Sequence, residues 1–133
     1  MFSIRLLTAD DATAFWILRQ EALGSVPEAF GESVEERYRA ATVRERKPKH
    51  IWGMYVAPRL RGQGAGEALL GEALREAGRC EGLRTILLSV SQTQAAAKRL
   101  YERLGFRTYG VEPGALRVGD RYLDEEFLAL RLY

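Results

Sequence analysis

The sequence predicts one α/β domain, residues 1–133, in which a mixed central sheet is flanked by helices. Two nearly continuous apolar runs, 51–56 and 84–90, are typical of interior strands that are covered on both faces. Segments with helical spacing of apolar residues alternate with these runs, which favours a layered α/β sheet. The length of 133 residues and the 47% hydrophobic content suit one globular domain and leave too little chain for two.

The N-terminal third predicts one strand and two helices. Residues 2–6 alternate apolar and polar side chains, which is the period of a half-buried strand. Residues 8–11 resemble a capping box that begins a helix, and Gly24 ends that helix. A second capping signal begins a helix over 33–46 with few apolar residues, so we expect it to lie on the surface or act as a lid. Pro48 then breaks it.

The central part predicts a strand, a glycine-rich turn and a helix in direct succession. The strand 51–56 stops at Pro58, the turn occupies 61–66, and the helix ends near Gly78. Because the apolar strand is followed at once by glycines and then by helical spacing, the turn is expected at the start of the helix.

The C-terminal part completes the order β-α-α-β-α-β-α-β-β. The strand 84–90 is followed by a helix over 93–104, and Gly105 occupies the position of a left-handed C-terminal cap. A strand over 106–111, a Gly/Pro turn region and a closing strand over 127–133 are expected next.

Composition excludes several classes of protein. Twenty basic and 18 acidic residues give a net charge of +2, which does not favour nucleic-acid binding. No apolar run approaches the length that spans a bilayer, and no leader pattern is evident, so we expect a cytoplasmic protein without membrane association. Cys80 and His50 are the only cysteine and histidine, which excludes a Cys/His zinc cluster and predicts no metal. They leave open a Cys–His nucleophilic pair.

The glycine-rich turn predicts an anion site. Backbone N–H groups at a helix start have no intrahelical partner, and the helix dipole adds partial positive charge there. Glycines let several N–H groups approach one ligand, most naturally a phosphate. Arg59 and Arg61 add charge beside the turn. A helix entry that merely tolerates glycine is the alternative.

Two common phosphate-binding patterns do not match. Gly66 is followed by Glu67 rather than by Lys and Ser or Thr, and the third glycine of the dinucleotide fingerprint is missing.

Two motifs together resemble the GCN5-related N-acetyltransferase (GNAT) family. The segment 56–66, with its Arg-Gly-Gln-Gly-Ala-Gly turn, looks like the acetyl-coenzyme A signature. The segment 96–106 is similar to the second signature, a helix that ends in Tyr-x-x-x-Gly-Phe. The resemblance covers residues 51–111 in the family's order, and is weaker over 3–38.

The resemblance implies acetyl-CoA as co-substrate. The turn N–H groups would hold its pyrophosphate, and the backbone of residues 54–56, where two family strands splay apart, would pair with the pantetheine arm. The implied binding residues are Met54, Tyr55, Val56, Arg61, Gly62, Gln63, Gly64, Ala65, Gly66 and Gln94.

It also implies two catalytic groups. The Val56 N–H would stabilise the oxyanion, and Tyr101 would protonate the leaving thiolate. From position alone, Tyr101 could equally be an aromatic residue that packs on the sheet.

The sequence departs from the family pattern in two places. Gln94 stands where many relatives carry asparagine. The four residues 47–50 stand where relatives have a hairpin, so the usual second and third strands are apparently absent, either because the protein is shortened or because a segment is missing. A shortened member would expose an edge of 51–56, which favours a homodimer.

The resemblance implies transfer of an acetyl group to a primary amine of a small molecule or peptide, by direct attack in a ternary complex. The alternative is a non-catalytic acyl-CoA-binding module with a degenerate acceptor site. The acidic stretch 28–36 weakly favours a cationic amine. Six side chains are conceivable general bases, and His50 is favoured among them for its intrinsic pKa. They are Glu32, Glu35, Glu36, His50, Asp124 and Glu125.

Overall fold

The computed structural model describes residues 2–26, 28, 50–51 and 53–132. Over these residues the chain forms helices and strands that alternate after residue 50. The longer elements are α1 (Ala12–Ser25), α2 (Ala65–Gly78), β1 (Thr85–Ser91), α3 (Ala95–Arg103), β2 (Arg107–Val118) and β3 (Arg121–Arg131). One-turn 3-10 helices at Ala9–Asp11 and Pro58–Leu60 precede α1 and the glycine turn.

The sheet has the order β1-β3-β2, and both pairings are antiparallel. Leu88 of β1 and Thr108 of β2 lie opposite Leu128 of β3. The chain also touches the free edge of β1, where His50 forms a parallel bridge with Leu87. The antiparallel ladder and this parallel bridge agree with the predicted mixed sheet.

The core lies between the sheet and the helices α2 and α3. Leu70 of α2, Phe106 and Leu128 are completely buried, and Ile86 of β1 is 1% exposed. Tyr101 of α3 belongs to the same cluster. Burial of such side chains contributes about 1.5–3 kcal/mol each, so the β1–α2–α3 packing is the stable frame for the site.

The predicted strand over 51–56 is not formed by the described residues 51 and 53–56. The Ile51 N–H donates to the Leu87 carbonyl oxygen at 2.9 Å, and residues 53–57 have no strand structure. An apolar run predicts burial but does not supply a ladder partner, and residues 53–57 do not pair with β1. This lack of pairing opens the cleft described below.

One other strand prediction was wrong, and so was the predicted position of the C-terminal turn. Residues 2–6 keep a partly alternating burial but form no strand among the described residues, because alternation alone fixes a face and not a partner. The expected Gly/Pro turn region after residue 111 belongs mostly to β2 and β3. A register shift between Glu112 and Leu116 accommodates Pro113, and the chain reverses at Gly119, whose φ is +61°.

Three helix predictions are confirmed. The Thr8 N–H donates to Asp11 Oδ2 at 2.8 Å at the start of the first helical segment, as a capping box requires. Helix α2 ends at Gly78. Gly105 has a φ of +99°, and a Cβ there would lie 3.1 Å from Leu130 Cδ1, so glycine is required on two grounds.

The predicted helix over 33–46 and the acidic residues Glu32, Glu35 and Glu36 lie outside the described residues. The expected loss of two strands before residue 51 also falls on this part of the chain, outside the described residues. Over the described ranges, no helix has the length and apolar content needed to cross a membrane.

Candidate functional site

The site is an open cleft of about 450 Å³ between the segment 54–56, the start of α2 and one face of α3. The glycine-rich turn forms one end of the cleft, and Tyr101 lies along its wall. Because the three walls come from separate elements that are fixed by the β1–α2–α3 core, the shape of the cleft is set by the fold.

The glycine turn has the geometry that an anion site needs. Gly62 and Gly64 have φ values of +73° and +82°, and Gly64 is the N-cap of α2. The first intrahelical bond of α2 runs from the Ala68 N–H to the Gly64 carbonyl oxygen at 3.0 Å. The N–H groups before Ala68 therefore have no intrahelical acceptor and remain available at the positive end of the helix dipole.

Gly66 sets the distance between α2 and α3. A Cβ at Gly66 would lie 3.3 Å from Leu100 Cδ2 and 3.6 Å from Val56 Cγ2. A larger residue would require the Leu100 side chain to shift at the point where the two helices form the cleft.

Arg61 ties the turn to the segment before it. Its Nε donates to the Val56 carbonyl oxygen at 2.9 Å, and its guanidinium carbon lies 5.6 Å from the centroid of the Tyr55 ring. The Tyr55 hydroxyl in turn donates to Glu21 Oε1 at 3.0 Å. This chain of contacts links α1, the segment 54–56 and the glycine turn.

A second, narrower cavity of about 50 Å³ lies where the chain leaves β1. It is lined on one side by Ile51, Gly53 and Met54, and on the other by residues 88–90 of β1. Tyr101 lines both this gap and the main cleft. The gap therefore runs from the main cleft into the sheet beside Tyr101.

Tyr101 is 7% exposed and packs edge-on against Phe106, with the ring centroids 6.1 Å apart. Burial raises the pKa of its phenol above the ordinary value of about 10. No hydrogen bond joins its hydroxyl to any residue in the described part of the chain. The phenol is thus protonated at neutral pH and able to donate a proton into the cleft.

Most of the predicted site residues meet in this one cleft. Ten of them line it: Met54, Tyr55, Val56, Arg61, Gly62, Gly64, Ala65, Gly66, Gln94 and Tyr101. Gln63 does not line it, because its side-chain Nε2 donates to the Arg59 carbonyl oxygen at 3.0 Å. The backbone of Gln63 nevertheless belongs to the turn.

The structure does not bring the described base candidates into the cleft. His50, Asp124 and Glu125 line neither cavity. Asp124 is instead part of the frame, since its N–H donates to Gln92 Oε1 at 2.6 Å and its Oδ1 accepts from the Gly114 N–H at 2.9 Å. Cys80 is exposed beyond the end of α2 and also lines neither cavity, so a Cys80–His50 pair has no support.

Sequence reasoning missed seven residues that line the cleft, and the three that matter most below are Glu67, Leu100 and Arg103. The other four are Val26, Leu60, Ala96 and Ala97. A usable signal was present, because residues 96, 100 and 103 recur at helical spacing and so share one face of α3.

The residues present fit acetyl-CoA. The cleft holds a glycine turn with available N–H groups and a buried phenol beside an opening in the sheet. The first feature suits a pyrophosphate, and the opening between 53–54 and β1 suits an extended pantetheine arm.

Comparison with known proteins finds a matching family profile, related sequences and similar folds. The acetyltransferase (GNAT) family profile matches residues 6–106. The L-methionine sulfoximine/L-methionine sulfone acetyltransferase of Pseudomonas aeruginosa is 37% identical over 79 residues, which are 59% of this chain and 45% of that protein. The chain thus spans less than half the length of the curated relatives that it matches.

Two solved structures resemble nearly the whole chain. The Salmonella typhimurium protein yncA, solved with its cofactor acetyl-CoA, superposes with a TM-score of 0.81 at 22% identity, over 98% of this chain and 94% of that one. The phosphinothricin acetyltransferase of Sinorhizobium meliloti, solved with acetyl-CoA, gives a TM-score of 0.79 at 20% identity, over 98% and 88%. At these identities the likeness establishes the fold.

Proposed function

Because this chain belongs to the acetyltransferase (GNAT) family, we propose that it transfers the acetyl group of acetyl-CoA to a primary amine by direct attack in a ternary complex. The observation that carries the proposal is the position of Tyr101. This buried phenol lines both the cleft that begins at the glycine turn and the narrow gap beside β1.

The turn and the segment 54–56 hold the co-substrate in this proposal. The N–H groups of Gly64, Ala65 and Gly66 bind phosphate oxygens, while Arg61 fixes the turn through the Val56 carbonyl. Met54 borders the opening in the sheet and Val56 lines the adjoining cleft, so the backbone of 54–56 can pair with an extended ligand as a strand would.

Acetyl-CoA, when bound, supplies the acetyl group: the acceptor nitrogen bonds to the carbonyl carbon, and the carbon–sulfur bond breaks. The Val56 N–H stabilises the charge that develops on the carbonyl oxygen. Tyr101 gives its proton to the sulfur, and burial, which raises the pKa of the phenol, keeps it protonated at neutral pH until the thiolate leaves. The acceptor nitrogen loses one proton to solvent or to a base outside the described cleft lining.

The acceptor class follows from the relatives' names. The Pseudomonas aeruginosa relative acts on L-methionine sulfoximine and L-methionine sulfone, and the Sinorhizobium meliloti neighbour is a phosphinothricin acetyltransferase. These acceptors are small amino acids, so a free α-amino group is the first acceptor to test.

The decisive experiment has two stages. Calorimetric titration of the 133-residue chain with acetyl-CoA is expected to give one site with micromolar affinity. A thiol-release assay with methionine sulfoximine, methionine sulfone, phosphinothricin and an N-terminal alanine peptide then tests transfer. Binding without transfer to any amine would favour the acyl-CoA-binding module, and a folded chain that does not bind would overturn the proposal.

Self-association stays a prediction. The edge of β1 beyond the bridge to His50 has no strand partner among the described residues, and such edges favour pairing with another chain. Sedimentation at several protein concentrations tests whether the protein is a dimer.

A further inference from the structure

The cleft contains a second cation besides Arg61, and its side chain is only loosely held. Arg103 is the last residue of α3, and its Nη2 lies 3.7 Å from Glu67 Oε2 in the first turn of α2. This separation exceeds hydrogen-bond distance, and both side chains are more than half exposed. The pair is therefore a weak, solvent-screened contact that a better ligand can replace.

The two cleft arginines differ in what they already contact. Arg61 donates its Nε–H to the Val56 carbonyl oxygen, and its guanidinium lies over the Tyr55 ring. Arg103 makes no hydrogen bond to any residue of the described ranges, so the whole guanidinium fork is available. A planar fork with free N–H groups is the best protein ligand for a phosphate.

The position of Arg103 indicates which end of the ligand it meets. Gly66 packs against Leu100, so α2 and α3 converge there, and Arg103 and Glu67 lie on the rim of the same cleft. Tyr101 lines both the main cleft and the gap beside β1, whereas Arg103 lines the main cleft and not the gap. A ligand that lies from the gap towards the glycine turn thus brings its nucleotide end towards Arg103.

We propose that Arg103 binds a phosphate group of the coenzyme, and that it exchanges its contact with Glu67 for that phosphate when the coenzyme binds. The inference rests on the proposed function, because it takes acetyl-CoA as the ligand. The guanidinium of Arg103 suits either the 3′-phosphate or the pyrophosphate of the coenzyme, and an experiment can distinguish these two phosphates.

The test compares the wild type, Arg103→Gln and Arg99→Gln by calorimetry with two ligands, acetyl-CoA and 3′-dephospho-acetyl-CoA. Arg99 is the matched control, since it lies one turn earlier on α3 and does not line the cleft. At low ionic strength, Arg103→Gln is expected to weaken acetyl-CoA binding about five- to tenfold, and Arg99→Gln less than about twofold. The difference should shrink at about 0.3 M salt because exposed charges are screened.

The second ligand identifies the phosphate. A loss confined to acetyl-CoA assigns Arg103 to the 3′-phosphate, whereas an equal loss with both ligands assigns it to the pyrophosphate. Glu67→Gln should tighten acetyl-CoA binding about two- to threefold, because it removes the competing carboxylate.

Two results would overturn the inference while leaving the proposed function intact. One is wild-type affinity of Arg103→Gln for both ligands, and the other is unchanged or weaker binding by Glu67→Gln. Failure of the wild type to bind acetyl-CoA would instead overturn the proposed function itself, together with this inference.

Discussion

Arg61 Nε donates a 2.9 Å hydrogen bond to the carbonyl oxygen of Val56, which joins the start of the glycine turn to the segment that borders the cleft. The bond fixes the distance between two parts of the site that the chain separates by a 3-10 turn, Pro58–Leu60. The proposed phosphate site and the proposed oxyanion donor are therefore held at one spacing.

Arg61→Met should loosen this spacing. We expect acetyl-CoA affinity to fall about three- to tenfold and kcat to fall as well, because a lost charge-assisted hydrogen bond disturbs both ends of the site. Arg59→Met is the matched control, since Arg59 lies two residues earlier and does not line the cleft. Calorimetry and steady-state kinetics check the result, and equal effects of the two substitutions would contradict it.

Tyr101→Phe should separate chemistry from binding. The substitution keeps the ring that packs against Phe106 and removes only the acidic proton, so kcat should fall about a hundredfold or more while the Kd for acetyl-CoA changes less than about twofold. Tyr109→Phe is the control, because Tyr109 is 61% exposed on β2 and lies outside the cleft. Unchanged turnover of Tyr101→Phe would leave the tyrosine with a packing role alone.

The raised pKa of Tyr101 has a direct kinetic consequence. Burial disfavours the charged phenolate, so the acid stays protonated above pH 10 and kcat should not decline until the pH exceeds that value. The measurement is kcat against pH from 7 to about 11 at saturating substrates, with circular dichroism to confirm the fold. An alkaline limb well below pH 10 would assign the acid to another group.

Gly64 and Gly71 form a natural pair for testing backbone strain. A Cβ would meet nothing within 4 Å at either position, but Gly64 has a φ of +82° and Gly71 lies inside α2. Gly64→Ala should destabilise the fold by about 1–2 kcal/mol, and Gly71→Ala should stabilise it by about 0.5–1 kcal/mol. Urea unfolding measures both, and effects of the same sign would refute the argument.

His50→Gln should leave the pH dependence of kcat/KM unchanged. His50 forms the bridge to Leu87 and lines neither cavity, so it is not positioned to take the proton of the acceptor amine. A displaced acidic limb in the variant would restore His50 as the general base.

The sequence predicted the frame of the fold better than its strands. Helices α2 and α3 carry strong signals, a glycine turn before one and Gly105 after the other, because local conformational demands act within a few residues. The segment 2–6 and the continuation of 51–56 were predicted as strands and are not. Strand formation depends on a partner that a single segment does not encode.

The site was predicted in the same uneven way. Residues 61–66 were predicted from the glycine pattern, and Tyr101 from the resemblance of residues 96–106 to a family signature. The structure places Tyr101 and all of 61–66 except Gln63 on one cleft. The neighbouring Arg103 and Glu67 were missed, because a charged residue on a helix looks the same in sequence whether it faces solvent or a cleft. Only the convergence of α2 and α3 at Gly66 and Leu100 makes the distinction.

The lack of strand pairing between residues 53–57 and β1 has a measurable consequence for hydrogen exchange. The Met54 and Val56 amides have no ladder acceptor among the described residues, so in the free protein they should exchange quickly although the adjacent β1 amides are protected. A ligand arm seated in the opening would act as the absent neighbour and slow them. The protein would thus acquire the last part of its sheet from the molecule that it binds.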